Sequence, residues 1–287
     1  SEREREITSA VDGLKRGKSA GVDFIVAEVL KYGGDSMAYA LWLVCTRAWK
    51  SERVPTDWAR GLIFPIFKDG DERNPLNYRG ITLLSIVGKV YTSVLNARLV
   101  RWCESRSILV EEQGGFRPER GCPDQLFILT DILKQRKNES TFACFIDVKI
   151  DRVWRDGLWK RLADEGIRGK MWRVLRSVYA KVSSAVIVGS DQTDWFELDT
   201  GVRQGCVLSP VLFAIFINGL AREIRAQELG VAVADVQVSI LLYADDIVLL
   251  SPTPQGLQAM MDLVSEYSVR WRFELNLGKS EAVLFGR

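Results

Sequence analysis

Leu241-Leu242-Tyr243-Ala244-Asp245-Asp246-Ile247-Val248-Leu249-Leu250 sets two adjacent carboxylates between two apolar runs. Each run has the length and composition of a buried strand, so the stretch predicts a hairpin with arms over 236–243 and 247–250. A polar turn accounts for Asp245 and Asp246, because Asp is a common turn residue. Tight hairpins favour Asn-Gly or Asp-Gly, however, and two neighbouring like charges repel. A divalent cation would remove that repulsion by taking carboxylate oxygens, so turn and metal-binding pair both stand open here. A second carboxylate ends the apolar run Ala143-Cys144-Phe145-Ile146-Asp147. If that strand lies beside the hairpin, Asp147 and Asp245 can converge on two cations, the arrangement that serves phosphoryl transfer.

Outward from this pair the chain alternates strands and helices. Helices are predicted over 157–165, 170–179, 210–226 and 255–272, a hairpin over 185–198 and a last strand over 282–285. Upstream, residues 25–50 carry helical periodicity split by Gly33-Gly34 and ended by Pro55. Residues 62–67 read as an edge-type strand, because Pro65 cannot donate to a ladder, with a polar stretch following to Asn77. A long amphipathic helix is predicted over 86–105 and another near 124–137. Between them, Gln113-Gly114-Gly115-Phe116-Arg117-Pro118-Glu119-Arg120-Gly121 suits either a plain surface loop or a backbone that approaches an anion. The whole reads as α+β with a largely antiparallel sheet.

Composition narrows the chemistry. The 287 residues are 47% hydrophobic and 26% charged, enough for a buried core and for two domains or one domain with a lobe. Lys and Arg total 39 against 37 Asp and Glu, so a surface for nucleic acid must come from local clustering. Histidine is absent, which excludes Ser-His-Asp and Cys-His nucleophile systems and His-ligated zinc. Five scattered cysteines, none spaced as C-x-x-C, disfavour a disulfide framework or zinc knuckle and point to a reducing compartment. Gly13-Leu14-Lys15-Arg16-Gly17-Lys18-Ser19 is one residue short of a P-loop and has no strand before it. The nine tryptophans, Trp154, Trp159 and Trp172 among them, stand at helical spacing amid Arg and Lys and read as core or rim packing, with base stacking by one or two as the alternative. The opening Ser-Glu-Arg-Glu-Arg-Glu is neither a start nor a signal, and the most apolar stretch, 207–220, holds Ser209, Pro210 and Asn218. A soluble internal fragment with no membrane partner is expected.

Five segments in order carry a resemblance: Pro75-Leu76-Asn77-Tyr78-Arg79-Gly80-Ile81-Thr82-Leu83-Leu84-Ser85, Gln113-Gly114-Gly115-Phe116-Arg117, Phe145-Ile146-Asp147, Gly201-Val202-Arg203-Gln204-Gly205-Cys206-Val207-Leu208-Ser209-Pro210 and Tyr243-Ala244-Asp245-Asp246. Together they resemble the successive motifs of reverse transcriptases from non-LTR retrotransposons, of the long interspersed element type, over about residues 20–286. The resemblance implies a right-hand polymerase fold: a helical N-terminal extension over 1–60, fingers over 61–140 and an antiparallel palm sheet flanked by helices over 141–287, with the thumb absent. It implies an RNA-directed DNA polymerase that adds dNTPs to a DNA 3′-OH on an RNA template with two Mg²⁺ ions, Mn²⁺ being the alternative.

Under that resemblance Asp147, Asp245 and Asp246 are the metal-binding acids. Lys68 and Arg79 hold the incoming triphosphate, Gln204 and Gly205 contact the nucleotide, and Arg117 and Arg120 steady the template backbone. Lys279 in Asn276-Leu277-Gly278-Lys279-Ser280 resembles the late lysine that protonates the leaving pyrophosphate. The parent protein's endonuclease and thumb regions are expected partners, and the nucleus, after a cytoplasmic ribonucleoprotein phase, is the expected location. The chain departs from the family at one place. Where the family runs Asp-x-x-Lys-Ala-aromatic-Asp, it reads Asp147-Val148-Lys149-Ile150-Asp151, two residues short and without the aromatic that rejects a ribose 2′-OH. Impaired synthesis is expected, with a catalytically dead nucleic-acid-binding remnant as the alternative.

Overall fold

Gly33 and Pro55 punctuate the N-terminal helices where the sequence places them. The computed structural model describes residues 2–115, 117, 120–149 and 152–286. Helices α1 (Glu2–Asp12), α2 (Ala27–Tyr32) and α3 (Gly34–Ser51) pack on one another, and a single turn, α4 (Thr56–Ala59), leads into β1 (Arg60–Phe67). β1 pairs antiparallel with β2 (Tyr78–Leu84), from Gly61 opposite Leu84 to Phe67 opposite Tyr78. It also pairs in parallel with β4 (Ser183–Val188), but only from Arg60 to Ile63. β1 is therefore interior over its first half rather than an edge strand. Pro65 falls beyond the parallel pairing, where its missing N–H breaks no ladder bond. These elements, with the start of α5 (Ile86–Ser105), helix α8 (Gly169–Tyr179) and the short strands β5 (Asp191–Gln192) and β6 (Phe196–Glu197) folded back on β4, make the first of two compact units. It comprises Ser1–Leu99, Gly166–Asp199 and Arg203–Ser209.

The second unit comprises Val100–Glu165, Thr200–Val202 and Pro210–Arg287. Both units are discontinuous in sequence, whereas the boundaries expected at 60/61 and 140/141 are linear. The parallel pairing of β4 with β1 draws the later segment back.

At the centre of the second unit is β3 (Thr141–Lys149), apolar along most of its length and buried at Thr141, Ala143, Cys144, Ile146 and Val148, which belong to both faces. On one side it pairs antiparallel with β10 (Asp246–Ser251), itself paired with β9 (Ile240–Tyr243). On the other side lie β11 (Glu274–Leu275) and β12 (Glu281–Phe285), both antiparallel. Directly opposed residues share a face. Ala143, Phe145 and Asp147 thus point the same way as Leu250, Val248 and Asp246. Helix α6 (Cys122–Gln135) covers the apolar end of that face through Leu129 and Ile132, packed with Ala143, Leu241 and Leu250. Helix α10 (Pro254–Trp271) lies against β3 and β10. Its Tyr267 and Trp271 meet Phe216 of the buried helix α9 (Ser209–Arg225) and Phe273. The α+β architecture with an antiparallel sheet flanked by helices is as expected. α7 (Arg155–Asp164) also belongs to the second unit.

Two local expectations are corrected. The arm predicted over 236–243 is broken: β8 (Val236–Val238) pairs with β7 (Val231–Val233), and only β9 joins β10. β2, β7 and β11 were not foreseen, because short half-exposed strands carry little periodicity. Among the described residues, no helix is long and apolar enough to cross a membrane.

Candidate active site

Asp147 and Asp246 stand directly opposite each other on β3 and β10, at the end of the apolar face. Tyr243, opposite Asp246 on β9, and Lys279 join them in lining a cleft of about 310 Å³ whose walls include Leu126, Leu129 and Phe145. Asp245 occupies the two-residue turn, and its backbone carbonyl accepts the Val148 N–H at 3.1 Å, which ties the turn to β3. Its neighbour Ala244 is held at φ 58°, a left-handed conformation that costs a residue with a Cβ about 1–2 kcal/mol. Such strain concentrates at functional turns.

Electrostatics mark the same place. Burial raises the Asp246 carboxyl above the ordinary value, the Asp245 and Asp147 carboxylates raise it further, and Lys279 opposes them. Lys279 Nζ lies 3.9 Å from Asp147 Oδ2, with its side chain 69% exposed. Asn276 is closer: its side-chain amide donates to Asp147 Oδ2 at 2.6 Å, and its backbone N–H donates to the Asp147 carbonyl at 2.8 Å. The turn after β11 thus grips the aspartate twice, and sequence reasoning had singled out Lys279 from that turn and passed over Asn276.

A second support comes from the Gln113 segment. The Leu242 N–H donates to the Glu112 carbonyl at 2.9 Å and the Gly114 N–H to the Leu242 carbonyl at 2.8 Å, so the segment runs along β9. Gln113 is fully buried, and its side-chain oxygen accepts both the Gly115 N–H at 2.8 Å and the Ala244 N–H at 3.2 Å. A Cβ on Gly115 would collide with the Ala244 backbone nitrogen, so glycine is required by close approach. Of the two readings open for this loop, surface loop and anion cradle, neither describes what Gln113 to Gly115 do: they brace the acidic turn.

The cationic candidates divide between the two units. Arg117 is bidentate to Glu104 at 3.0 and 2.9 Å, donates to the Val110 carbonyl and is 7% exposed in its side chain, while Arg120 pairs with Glu111. In the first unit Arg79 sits opposite Ile66. Lys68 continues the β1 ladder by donating its N–H to the Asn77 carbonyl at 2.9 Å. Strand alternation puts Lys68 and Arg79 on one face, both exposed. Gln204 is also exposed, and Gly205 is held at φ 80°, where a Cβ would crowd the Thr82 carbonyl oxygen. Ser209, at the start of α9, donates from its hydroxyl to the Arg203 carbonyl at 2.6 Å. Trp154 and Trp172 lie under the guanidinium groups of Arg272 and Arg176, and Trp159 is buried, as packing residues. Ile150 and Asp151, where the chain departs from the family pattern, lie outside the described residues.

The sequence profile described as reverse transcriptase (RNA-dependent DNA polymerase) matches residues 67–284. The chain belongs to the reverse transcriptase family. Its relatives are retrotransposon polymerases of the kind the motifs resemble. It is 27% identical, over 98% of its length, to the RNA-directed DNA polymerase from mobile element jockey of Drosophila funebris. It is 29% identical, over 97%, to the probable RNA-directed DNA polymerase from transposon BS of Drosophila melanogaster. In each case it spans 31% of the relative. Among solved structures, apo telomerase from Candida tropicalis, truncated from its C-terminal domain, superposes with a TM-score of 0.55. That match is 14% identical and covers 91% of this chain and 61% of the other, a likeness of fold alone.

Reverse transcriptases as a family use divalent metal ions, and the acids of this reverse transcriptase domain suit them. Among the described residues no three His, Cys, Asp or Glu side chains already converge as a metal cluster. The chemistry of the facing pair nevertheless fits a hard cation: its donors are carboxylate oxygens, and Asp246 bears the repulsion of two more carboxylates.

Proposed function

We propose that this reverse transcriptase domain copies RNA into DNA, adding a deoxynucleoside monophosphate from a dNTP to a DNA 3′-OH on an RNA template. The observation that carries the reading is the pair Asp147 and Asp246, opposed across β3 and β10 at the head of an open cleft. Asp147, Asp245 and Asp246 would hold two Mg²⁺ ions, or Mn²⁺ in their place. When bound, the ions polarise the attacking hydroxyl and neutralise charge on the leaving pyrophosphate.

The rest falls to the chain itself. Asn276 fixes the Asp147 carboxylate, and Gln113 with Gly115 fixes the turn that carries Asp245, so the acids are placed before substrate arrives. Lys279, an exposed ammonium beside Asp147, would give a proton to pyrophosphate, as the family resemblance implies. From the family resemblance, Lys68 and Arg79 take the triphosphate, Gln204 and Gly205 meet the nucleotide, and Arg120 steadies the template.

The shortened stretch after Asp147 favours a second reading, a remnant that binds nucleic acid without synthesis. A 1 Å displacement of a catalytic group costs about 100-fold in rate, and the missing residues adjoin Asp147. Single-nucleotide extension of a DNA primer on an RNA template with Mg²⁺, run beside Asp245→Asn, separates the two. Incorporation that the variant abolishes supports the polymerase. Duplex binding without incorporation, restored when Lys-Ala-Tyr replaces Ile150, identifies the deletion as limiting; failure of the repair leaves the remnant.

A further inference from the structure

Helix α3 of the first unit buries Leu41, Cys45 and Ala48 on one side. On the opposite side, at about 100° per residue, Ser36, Tyr39, Leu43, Arg47 and Lys50 fall within about 40° of one line along the helix. All five are exposed, Tyr39 at 55% and Leu43 at 46%. Ala40 and Val44 beside them are exposed too. Tyr39 rests one face of its ring on Trp42, with centroids 5.6 Å apart, which steadies it there. The line is apolar in its middle and charged toward its ends, with Asp35 in the first turn and Arg47 and Lys50 near the last. Among the described residues, none of Asp35, Arg47 and Lys50 makes an ion pair.

This order is its own complement. Turned about a twofold axis through Leu43, an antiparallel second copy of the helix sets its Leu43 on Leu43, its Arg47 on Tyr39 and its Lys50 over Ser36 beside Asp35. Every contact but the central one then occurs twice, as an isologous interface requires. Arg47 gains a cation–π contact with the open face of the Tyr39 ring, and Lys50 approaches an unpaired carboxylate. The small Ser36 and Ala40 leave room for the backbones to draw close. A parallel pairing would instead set Arg47 against Arg47 and Lys50 against Lys50. One exposed leucine is ordinary on any surface; a mirrored order of partners around it is not.

We propose that α3 is the contact between two copies of this chain, packed antiparallel against its own counterpart about a twofold axis at Leu43. The line from Ser36 to Lys50 spans about 21 Å at 1.5 Å per residue. An interface of one helix face lies near the lower limit of about 1,200 Å² for stable pairs, so the dimer is reversible, with a dissociation constant on the order of 10 μM. The pairing requires neither the carboxylates nor synthesis.

The test is sedimentation equilibrium of the whole chain from micromolar concentration upward, with Leu43→Asp and Arg47→Glu alongside. Both side chains are exposed, so both variants are expected to melt with wild-type chains when dilute. Leu43→Asp sets like charges at the axis and should weaken the dimer at least tenfold, and Arg47→Glu, which loses both cation–π contacts, about fivefold. Cross-linking fixes the geometry, in a Cys122→Ser background that removes the exposed native thiol. Leu43→Cys should oxidise to a covalent dimer, its two Cα atoms falling within the roughly 4–7 Å that a disulfide spans. Tyr39→Cys should cross-link to Arg47→Cys in a mixture but not to itself. A chain that stays monomeric at 200-fold dilution above and below the expected constant, about 0.05 to 2,000 μM, overturns the proposal and leaves the face to another segment or to solvent. A dimer indifferent to Leu43→Asp, or Tyr39→Cys linking to itself as readily as Leu43→Cys, overturns it as well.

Discussion

The side-chain oxygen of Gln113 accepts the backbone N–H of Ala244 at 3.2 Å and so holds, from the far side of β9, the residue that precedes Asp245. Replacing Gln113 by Met keeps the volume and removes the acceptor, leaving the Gly115 and Ala244 amides unpaired. A loss of about 2–4 kcal/mol in chemical denaturation is expected, each unpaired group costing about 1–3 kcal/mol. Primer extension, measured where the variant is still folded, should fall about tenfold to 100-fold as the turn shifts. Wild-type extension by a folded Gln113→Met chain would show that the turn needs no brace.

Asn276 bears on rate rather than fold. It is a partly exposed side chain whose amide is spent on Asp147 Oδ2, so Asn276→Ala should cost about 1.5 kcal/mol, the low end for a hydrogen bond to a charged group. Single-turnover extension should drop about tenfold and need more Mg²⁺ for half-maximal rate, with primer–template affinity unchanged. An altered duplex affinity at constant metal dependence would place Asn276 in nucleic-acid binding instead.

Arg117 and Arg120 should separate cleanly. Arg117 is buried against Glu104, itself 34% exposed, so Arg117→Met is expected to cost about 2 kcal/mol, less than the roughly 3–5 kcal/mol of breaking a fully buried pair. Arg120 pairs with the 76% exposed Glu111, an arrangement worth about 0–1 kcal/mol. Arg120→Met should leave the melting temperature in place and weaken template binding in a salt-dependent way. Filter binding and thermal melts on both variants decide it, and equal loss of RNA affinity in the two would return Arg117 to the template.

Alkali should unfold the protein through its buried thiols. Burial pushes Cys45 and Cys103 from 9.0 up to about 12. In the unfolded chain they ionise near pH 9, while the folded chain keeps its protons, so stability is lost as pH rises from about 9 toward 12. Each thiol contributes a slope of up to about 1.4 kcal/mol per pH unit. Cys45→Ala and Cys103→Ala together should flatten the fall in denaturation midpoint between pH 9 and 11. An unchanged slope would assign the alkaline loss to other groups.

Much of the fold was legible in the sequence because its signals are local. The long helix at 86–105, the split at Gly33 and the apolar strand ending in Asp147 follow from periodicity and from residues that bar a helix or a ladder. β1 was misplaced at an edge because Pro65 marks one position, whereas the partners of Arg60 to Ile63 lie more than a hundred residues on. The candidate site divides the same way. Asp147, Asp245 and Asp246 stand out as charges in apolar surroundings, but Gln113 and Asn276 are ordinary polar residues in glycine-bearing stretches. Nothing local reports that one is fully buried or that the other reaches back 129 residues to a carboxylate.

The sequence by itself determined the class of the fold, the order of the motifs and which carboxylates stand isolated in apolar surroundings, since hydrophobic period and the cost of isolated charge are properties of short windows. Tertiary structure alone decided that Asp246 is the residue opposite Asp147, that two glycines and a glutamine brace the acidic turn, and that Arg117 is committed to Glu104. Those relationships depend on strand register and on the pairing of segments distant along the chain. Such pairings are chosen by the summed burial of whole faces, and no single stretch of residues contains that sum.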